Sequence, residues 1–316
     1  MKAKVFEYEG GIGFKDVKDF EVKHIFDCGQ CFRWNENDDG SYTGVAFKRA
    51  VRVYKKDNDV YISGGKMEDK DLWINYFDLE RDYGEIKDEL SKDEVLKDAI
   101  KYGYGIRILN QEIFETLISY IISANNRIPM IKRSVENIAR EYGEKVCLEG
   151  KEYYTFPDAN TLSKCSVEEI SSLGCGFRSE YIVEAAKRIA EGEINLQYIK
   201  TLNTDEAQAE LMKLKGIGPK VSDCIMLFSM GKYDAFPVDV WVKRVMQYFY
   251  LAPDVSLKKI REFGREKFKN KAGFAQEYLF YYARVFKGKE GLTKKECNWE
   301  NSLNLSSKLH LSLRIT

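Results

Sequence analysis

The sequence predicts an α+β fold, an antiparallel β region followed by a larger α-helical region. Up to about residue 65 the chain is rich in Val, Tyr, Phe and Ile, in KVFEYEG and in the long YTGVAFKRAVRVYKKDNDVYISGG. From Met67 onward apolar residues recur at three- and four-residue spacing, the period of an α-helix. Gly, Pro and Asn separate the helical segments, as residues that end helices and make turns should.

The elements follow in order. Asp57 to Asp59 (DND) fit the turn of a hairpin between VRVYKK and VYISG. EDKDLWINYFDLERDYGEIKDELSKDEVLKDAIKYG then supplies helices that flank the β region. EIFETLISYIISANNRI, IPMIKRSVENIAREYG, VEEISSLG and SEYIVEAAKRIAEG continue the helical pattern. DEAQAELMKLKG, KVSDCIMLFSMGK, VDVWVKRVMQYFY, LKKIREFGREKF and FAQEYLFYYARVFKG complete it. This divides the chain into an N-terminal antiparallel β domain with flanking helices (1–100), a helical domain (101–291) and a Ser/Leu/Asn-biased tail (292–316) without an assigned role.

A chain of 316 residues, 44% hydrophobic and 32% charged, can bury a substantial core and is not a disordered polymer. Fifty basic residues balance fifty acidic ones, so net charge does not point to nucleic acid, and any basic face must be local. The N-terminus does not resemble a signal peptide, and no long apolar run suggests a membrane span; the expectation is an intracellular protein of cytoplasm or nucleoid, with no membrane partner. Seven scattered cysteines argue against a disulfide framework. Cys28 and Cys31 form a C-x-x-C, but with only His24 and His310 as histidines and no second such pair, a metal site lacks ligands. The pair reads as small residues in a turn, and no metal or other cofactor is expected.

LKGIGPK has the form h-x-G-h-G-x-K, where h is apolar. Gly216 and Gly218 permit a tight turn, and Pro219 suits the first turn of a helix. The exposed amides there make a cradle for a phosphate of DNA; the alternative is a plain helix–turn–helix connection with a glycine cap. Lys220 lies in the first turn, where the helix dipole favours the neutral amine, a nucleophile able to form a Schiff base. Asp239, after Pro237 and before VWVKRV, fits a helix N-cap. Amide hydrogen bonds would keep it ionised, and its carboxylate could steady positive charge on a sugar during glycosidic cleavage. A purely structural cap is the alternative.

With these residues in place, the chain resembles the 8-oxoguanine DNA glycosylase family of the helix-hairpin-helix, Gly/Pro-Asp superfamily. The likeness runs in order over roughly residues 20–290, through CGQCFRW (28–34), GIRILNQEIFETLISYIISANNRI (105–128), LGCGFRSEYI (173–182), the hairpin and GFAQEYLFYYARV (273–285). It implies a TBP-like N-terminal sheet domain and a helical glycosylase domain. It also implies damaged duplex DNA as partner, flipping of the lesion into a pocket and no cofactor. The protein is expected to act as a monomer. The superfamily's iron–sulfur branch carries four C-terminal cysteines, whereas only Cys297 lies near the end here. A lysine at the position of Lys220 implies glycosylase plus AP-lyase activity.

The resemblance also implies residue roles. The Gly29 carbonyl would accept the N7–H that 8-oxoguanine has and guanine lacks. Gln276 would bond the Watson–Crick edge, Phe280 would stack on the purine, and Cys224 would lie against its other face. Asn125 would fill the space the base leaves, and Arg178 would touch the orphan partner base. Alone, these read as a turn glycine, core aromatics, a small buried hydrophobe, a helix cap and a surface charge. Three positions depart from the animal and fungal members. Met130 replaces an arginine that reads cytosine, which predicts a relaxed opposite-base preference. Phe177 replaces a tyrosine wedge, and Trp241 replaces a histidine near a phosphate. The rival readings are a glycosylase for other damaged purines and a non-catalytic hairpin module that binds DNA.

Overall fold

The computed structural model describes residues 3–290, so the tail, with Cys297 and His310, lies outside the described residues. The α+β reading holds. Six strands form one antiparallel sheet in the order β1-β2-β6-β5-β4-β3. They are β1 Lys4–Tyr8, β2 Gly11–Lys15, β3 Trp34–Glu36, β4 Tyr42–Ala46, β5 Arg49–Lys56 and β6 Asp59–Ser63. Tyr42 pairs with Val53, and Val53 with Ile62, all buried, so one face of each strand carries the apolar residues. Against that face pack Phe20, Phe26, Trp73 and Phe77. Trp34 stacks on Phe26 at 4.2 Å and lies over Gly44, where a Cβ would come within 2.4 Å of the indole. DND makes the β5–β6 turn, with Asp57 at φ 55°. The β4–β5 turn is Phe47–Lys48, at φ 50° and 61°, without the Asn or Gly that usually marks such a turn. Tertiary contact holds it instead: the Phe47 amide donates to the Glu112 carboxylate at 2.8 Å.

The helical part is built around Ile113–Ser123, buried on all sides over Thr116–Ile122. The hairpin follows as helix Thr204–Leu211, the turn, and helix Pro219–Ser229. Asn203 and Glu206 make a reciprocal cap for the first of these helices. Helices Val240–Phe249, Leu257–Phe268 and Ala272–Glu290 close the bundle. One element was not anticipated. Lys145–Leu148 and Lys151–Tyr154 form a two-stranded hairpin within the helical half. Glu149 and Gly150, at φ 50° and 76°, make its turn, and Val146, Leu148 and Tyr153 pack on Val45 and Ala50 of the sheet. The helical pattern on either side hid a ten-residue stretch whose Glu-Gly pair was the local signal.

The loop after the short helix Val22–Asp27 joins the two cores. Cys28 and Phe32 belong to the helical core, while Cys31 and Trp34 belong to the core under the sheet. Gln30 pins this loop: its amide donates to the carbonyls of Ile25 at 2.9 Å and Arg107 at 2.8 Å and accepts from the Leu109 amide at 2.8 Å. Gly29 is thereby held at the edge of the helical bundle. Among the described residues, no helix is long and apolar enough to cross a membrane.

Candidate active site

The hairpin turn requires glycine at 216 but not, on backbone grounds, at 218. Gly216 has φ +81°, and a Cβ there would come within 2.6 Å of the Tyr181 ring. Gly218 is the extended N-cap of Pro219–Ser229, and a Cβ there would meet nothing within 4 Å. No side chain caps the helix, so its first amides face outward with the dipole behind them. Lys220 follows Pro219 and is half-buried, its Nζ 5.1 Å from the centroid of the Tyr120 ring.

Asp239 caps helix Val240–Phe249, its Oδ1 accepting from the amides of Trp241 at 2.9 Å and Val242 at 2.8 Å. The Lys220 charge favours the ionised form of this carboxyl. Burial nevertheless pushes the Asp239 carboxyl above its usual value, against the pull of the two amides, Lys220 and Arg284. The amide bonds therefore do not set this carboxyl's proton affinity alone. Desolvation disfavours the anion more than two neutral donors favour it.

A second group gathers beside this pair. Cys224, one turn beyond Lys220, is 4% exposed, and burial pushes its thiol up to about 12. Gly29 has φ +92°, and its missing Cβ would touch Phe280 at 3.1 Å. Gln276, one turn before Phe280, is buried with its Oε1 lacking a hydrogen-bond partner. An orphaned buried amide oxygen is costly in a resting protein and calls for an explanation, such as a ligand that satisfies it. Gly29→Ala is expected to destabilise the fold by about 1–3 kcal/mol through the forced φ. It should also press a methyl group against the Phe280 ring, and thermal unfolding of the variant would show the cost.

Three of the remaining candidates, Asn125, Met130 and Phe177, are exposed. Asn125 is exposed at φ 50°, just past the end of helix Ile113–Ser123. Met130 is 43% exposed and Phe177 62% exposed, so both large apolar side chains face solvent. Trp241 is half-buried with the Arg244 guanidinium 5.4 Å from its ring. Arg178 differs from the surface charge its sequence alone suggests. It is 8% exposed, and its guanidinium donates to the carbonyls of Ala124 at 2.6 and 2.8 Å and Asn125 at 2.9 Å. It holds the backbone of the Asn125 turn in place, and its charge lies 4.4 Å from the Phe177 ring.

Sequence reasoning missed four residues at this site. The Tyr120 hydroxyl donates to the Gly29 carbonyl at 3.2 Å while its ring lies under Lys220. Asp223 is fully buried and receives two bonds from Arg261, at 2.7 and 2.9 Å, anchoring the lysine-bearing helix. Arg284 donates to the Asp27 carbonyl at 3.0 Å and packs by Phe280. Glu277 is buried beside Gln276. A charge inside an apolar helical run, as in KVSDCIMLF, was the one available signal for Asp223.

An anion-facing hairpin, a lysine in its helix and a capping aspartate across from it define a helix-hairpin-helix base-excision repair protein. The model for the HhH-GPD superfamily of base excision DNA repair proteins matches residues 118–270. The model for the 8-oxoguanine DNA glycosylase N-terminal domain matches residues 14–117. The chain belongs to the 8-oxoguanine DNA glycosylase family.

Relatives agree. A probable N-glycosylase/DNA lyase of Methanothermobacter thermautotrophicus is 33% identical over 228 residues, 66% of this chain and 72% of the relative. The N-glycosylase/DNA lyase OGG1 of Arabidopsis thaliana is 29% identical over 274 residues, 81% of this chain and 75% of the relative. Among solved structures, the Clostridium acetobutylicum 8-oxoguanine glycosylase/lyase, in complex with duplex DNA containing cytosine opposite the lesion, is 53% identical. It superposes with a TM-score of 0.89 over 90% of this chain and 98% of that one.

Proposed function

We propose that this protein flips 8-oxoguanine out of duplex DNA, excises it through a Schiff base on Lys220 and nicks the strand by β-elimination. The observation that carries the reading is a lysine in the first turn of the hairpin helix whose charge acts on the buried Asp239 cap, with Gly29 set against the Phe280 ring. The exposed hairpin amides hold a phosphate, and Phe177 wedges into the stack the lesion leaves. Asn125, on a turn held by Arg178, occupies the vacated space. The base lies between Cys224 and Phe280, bonded by Gln276 and read at N7–H by the Gly29 carbonyl. Tyr120 already donates to that carbonyl, which fixes its direction and leaves a second lone pair for the lesion.

Lys220 attacks C1′ as the base departs, and Asp239 stabilises the positive sugar. Loss of the C2′ proton from the Schiff base then expels the 3′-phosphate. The protein acts inside the cell as a single copy. No cofactor takes part in this scheme.

Met130 faces the orphan base without hydrogen-bond donors, so one partner is not selected over another. A lost bidentate contact corresponds to about 1–3 kcal/mol of discrimination. Duplexes with 8-oxoguanine opposite C, A, G or T are expected to release the base at rates within a few-fold of one another. A cytosine-only enzyme would contradict this. In the same assay, duplexes carrying hypoxanthine or an alkylated purine test the choice of base, with 8-oxoguanine expected to be excised fastest.

A further inference from the structure

Tyr120 stands between the two ends of the reaction. It lies on helix Ile113–Ser123 and is 3% exposed. Its hydroxyl donates to the Gly29 carbonyl at 3.2 Å, with the Gln30 carbonyl 3.4 Å from the same oxygen. The centroid of its ring lies 5.1 Å from Lys220 Nζ. Two other rings hold it in place. Phe32, on the Gly29 loop, meets it edge-on with centroids 5.5 Å apart. Phe228, on the helix that carries Lys220, stacks on it at 5.8 Å. One buried side chain is thus clamped between the loop of Gly29 and the helix of Lys220.

Gly29 needs such a hold. At φ +92° and without a Cβ, it leaves the next peptide unit, which carries its carbonyl, unusually free to rotate. Gln30 pins the loop through its side chain, and its carbonyl accepts from the Gln111 amide at 2.8 Å. The Gly29 carbonyl accepts from the Tyr120 hydroxyl and from no other group among the described residues. Burial pushes the Tyr120 phenol well above its usual value, so the hydroxyl stays a donor at neutral pH.

We propose that Tyr120 is the positioning residue that joins the choice of base to the nucleophile, its hydroxyl aiming the Gly29 carbonyl and its ring holding Lys220. The inference rests on Gly29 as the reader of N7–H and on Lys220 as the nucleophile. A carbonyl aimed by one hydrogen bond keeps a lone pair for the N7–H of 8-oxoguanine and sets it against the N7 lone pair of guanine. A carbonyl free to swing loses the attraction and relaxes the repulsion. The face of the ring attracts positive charge. Once the base has left, the protonated Schiff-base nitrogen of Lys220 carries that charge, so the same face serves the intermediate. The two ends of Tyr120 therefore act at different steps: the hydroxyl while a base is in the pocket, the ring through the elimination as well.

Two variants and two substrates separate these ends. Tyr120→Phe keeps the ring and removes the hydroxyl, whereas Tyr120→Leu removes both. Single-turnover base release is measured on an 8-oxoguanine duplex, and nicking with borohydride trapping on a duplex carrying a preformed aldehydic abasic site. Tyr120→Phe is expected to release 8-oxoguanine roughly tenfold more slowly, as a lost neutral hydrogen bond allows, while its abasic nicking falls by less than about twofold. Tyr120→Leu should slow abasic nicking as well, by roughly tenfold, because the ring face under the cation is gone. A phenylalanine variant that releases base at the wild-type rate would overturn the proposal. So would equal slowing of both steps in that variant, which is what a merely structural role gives, or a leucine variant that nicks as fast as the phenylalanine one. Should the leucine variant fail to bind a duplex with a tetrahydrofuran abasic analogue, the phenylalanine variant alone decides. Failure of the underlying reading looks different: wild type itself would then trap no adduct, or release guanine as readily as 8-oxoguanine.

Discussion

Lys220→Gln is expected to abolish both borohydride trapping and strand nicking on an 8-oxoguanine duplex, with base release reduced by about a thousandfold or more. The glutamine side chain nearly matches the lysine in reach, so the helix should survive although the charge over the Tyr120 ring is lost. Duplex binding by the variant should therefore remain. An amide nitrogen has no available lone pair, so neither the covalent adduct nor the elimination that follows can form. Continued trapping would assign the nucleophile to another residue. Asp239→Asn separates the two roles in the pair. It keeps an oxygen to cap the amides of Trp241 and Val242 but removes the negative charge. Binding should persist while base release falls by about a hundredfold, the scale on which removing one charge-stabilising group slows an enzyme. An unchanged rate would reduce Asp239 to a helix cap.

The largest stability effect is expected away from the chemistry. Asp223→Ala should destabilise the protein by about 3–5 kcal/mol, because it strands the Arg261 guanidinium in a largely dry site. Asp223 is fully buried, with Arg261 Nε at 2.7 Å and Nη2 at 2.9 Å, and Gln208 adds a bond at 3.0 Å. These bonds join helix Pro219–Ser229 to the helices on either side, Thr204–Leu211 and Leu257–Phe268. Burial raises the Asp223 carboxyl even against Arg261, a sign of how much desolvation the pair carries. Denaturant unfolding of the variant would show the loss, and phosphate contact through the hairpin should weaken with it. Replacing both partners with apolar residues should cost less than removing one, since no charge is then left unpaired. Equal loss in the single and double variants would show that the pair is not coupled.

Much of this site lies close together in the chain. The Gly-Ile-Gly turn, Pro219, Lys220 and the Asp239 cap are set by backbone freedom, a missing amide hydrogen and a short carboxylate, which are local properties. The β5–β6 turn was legible for the same reason. The β4–β5 turn carries no such residue, because the Glu112 carboxylate stabilises it from far along the chain. Arg178 read as a surface charge, since nothing near it announces that the Ala124 and Asn125 carbonyls will surround it.

The sequence by itself determined the order of elements, the hairpin and its lysine, the capping aspartate and the family resemblance, all of which rest on residue type and short spacing. Only the tertiary structure decided which groups meet. Gly29 sits against Phe280, Tyr120 reaches the Gly29 carbonyl, and Arg178 closes on the Ala124 and Asn125 carbonyls. It also shifted the proton affinity of buried carboxyls. A carboxyl's affinity for its proton depends on how much water its neighbours remove, and the neighbours of Asp239 and Glu277 come from distant parts of the chain.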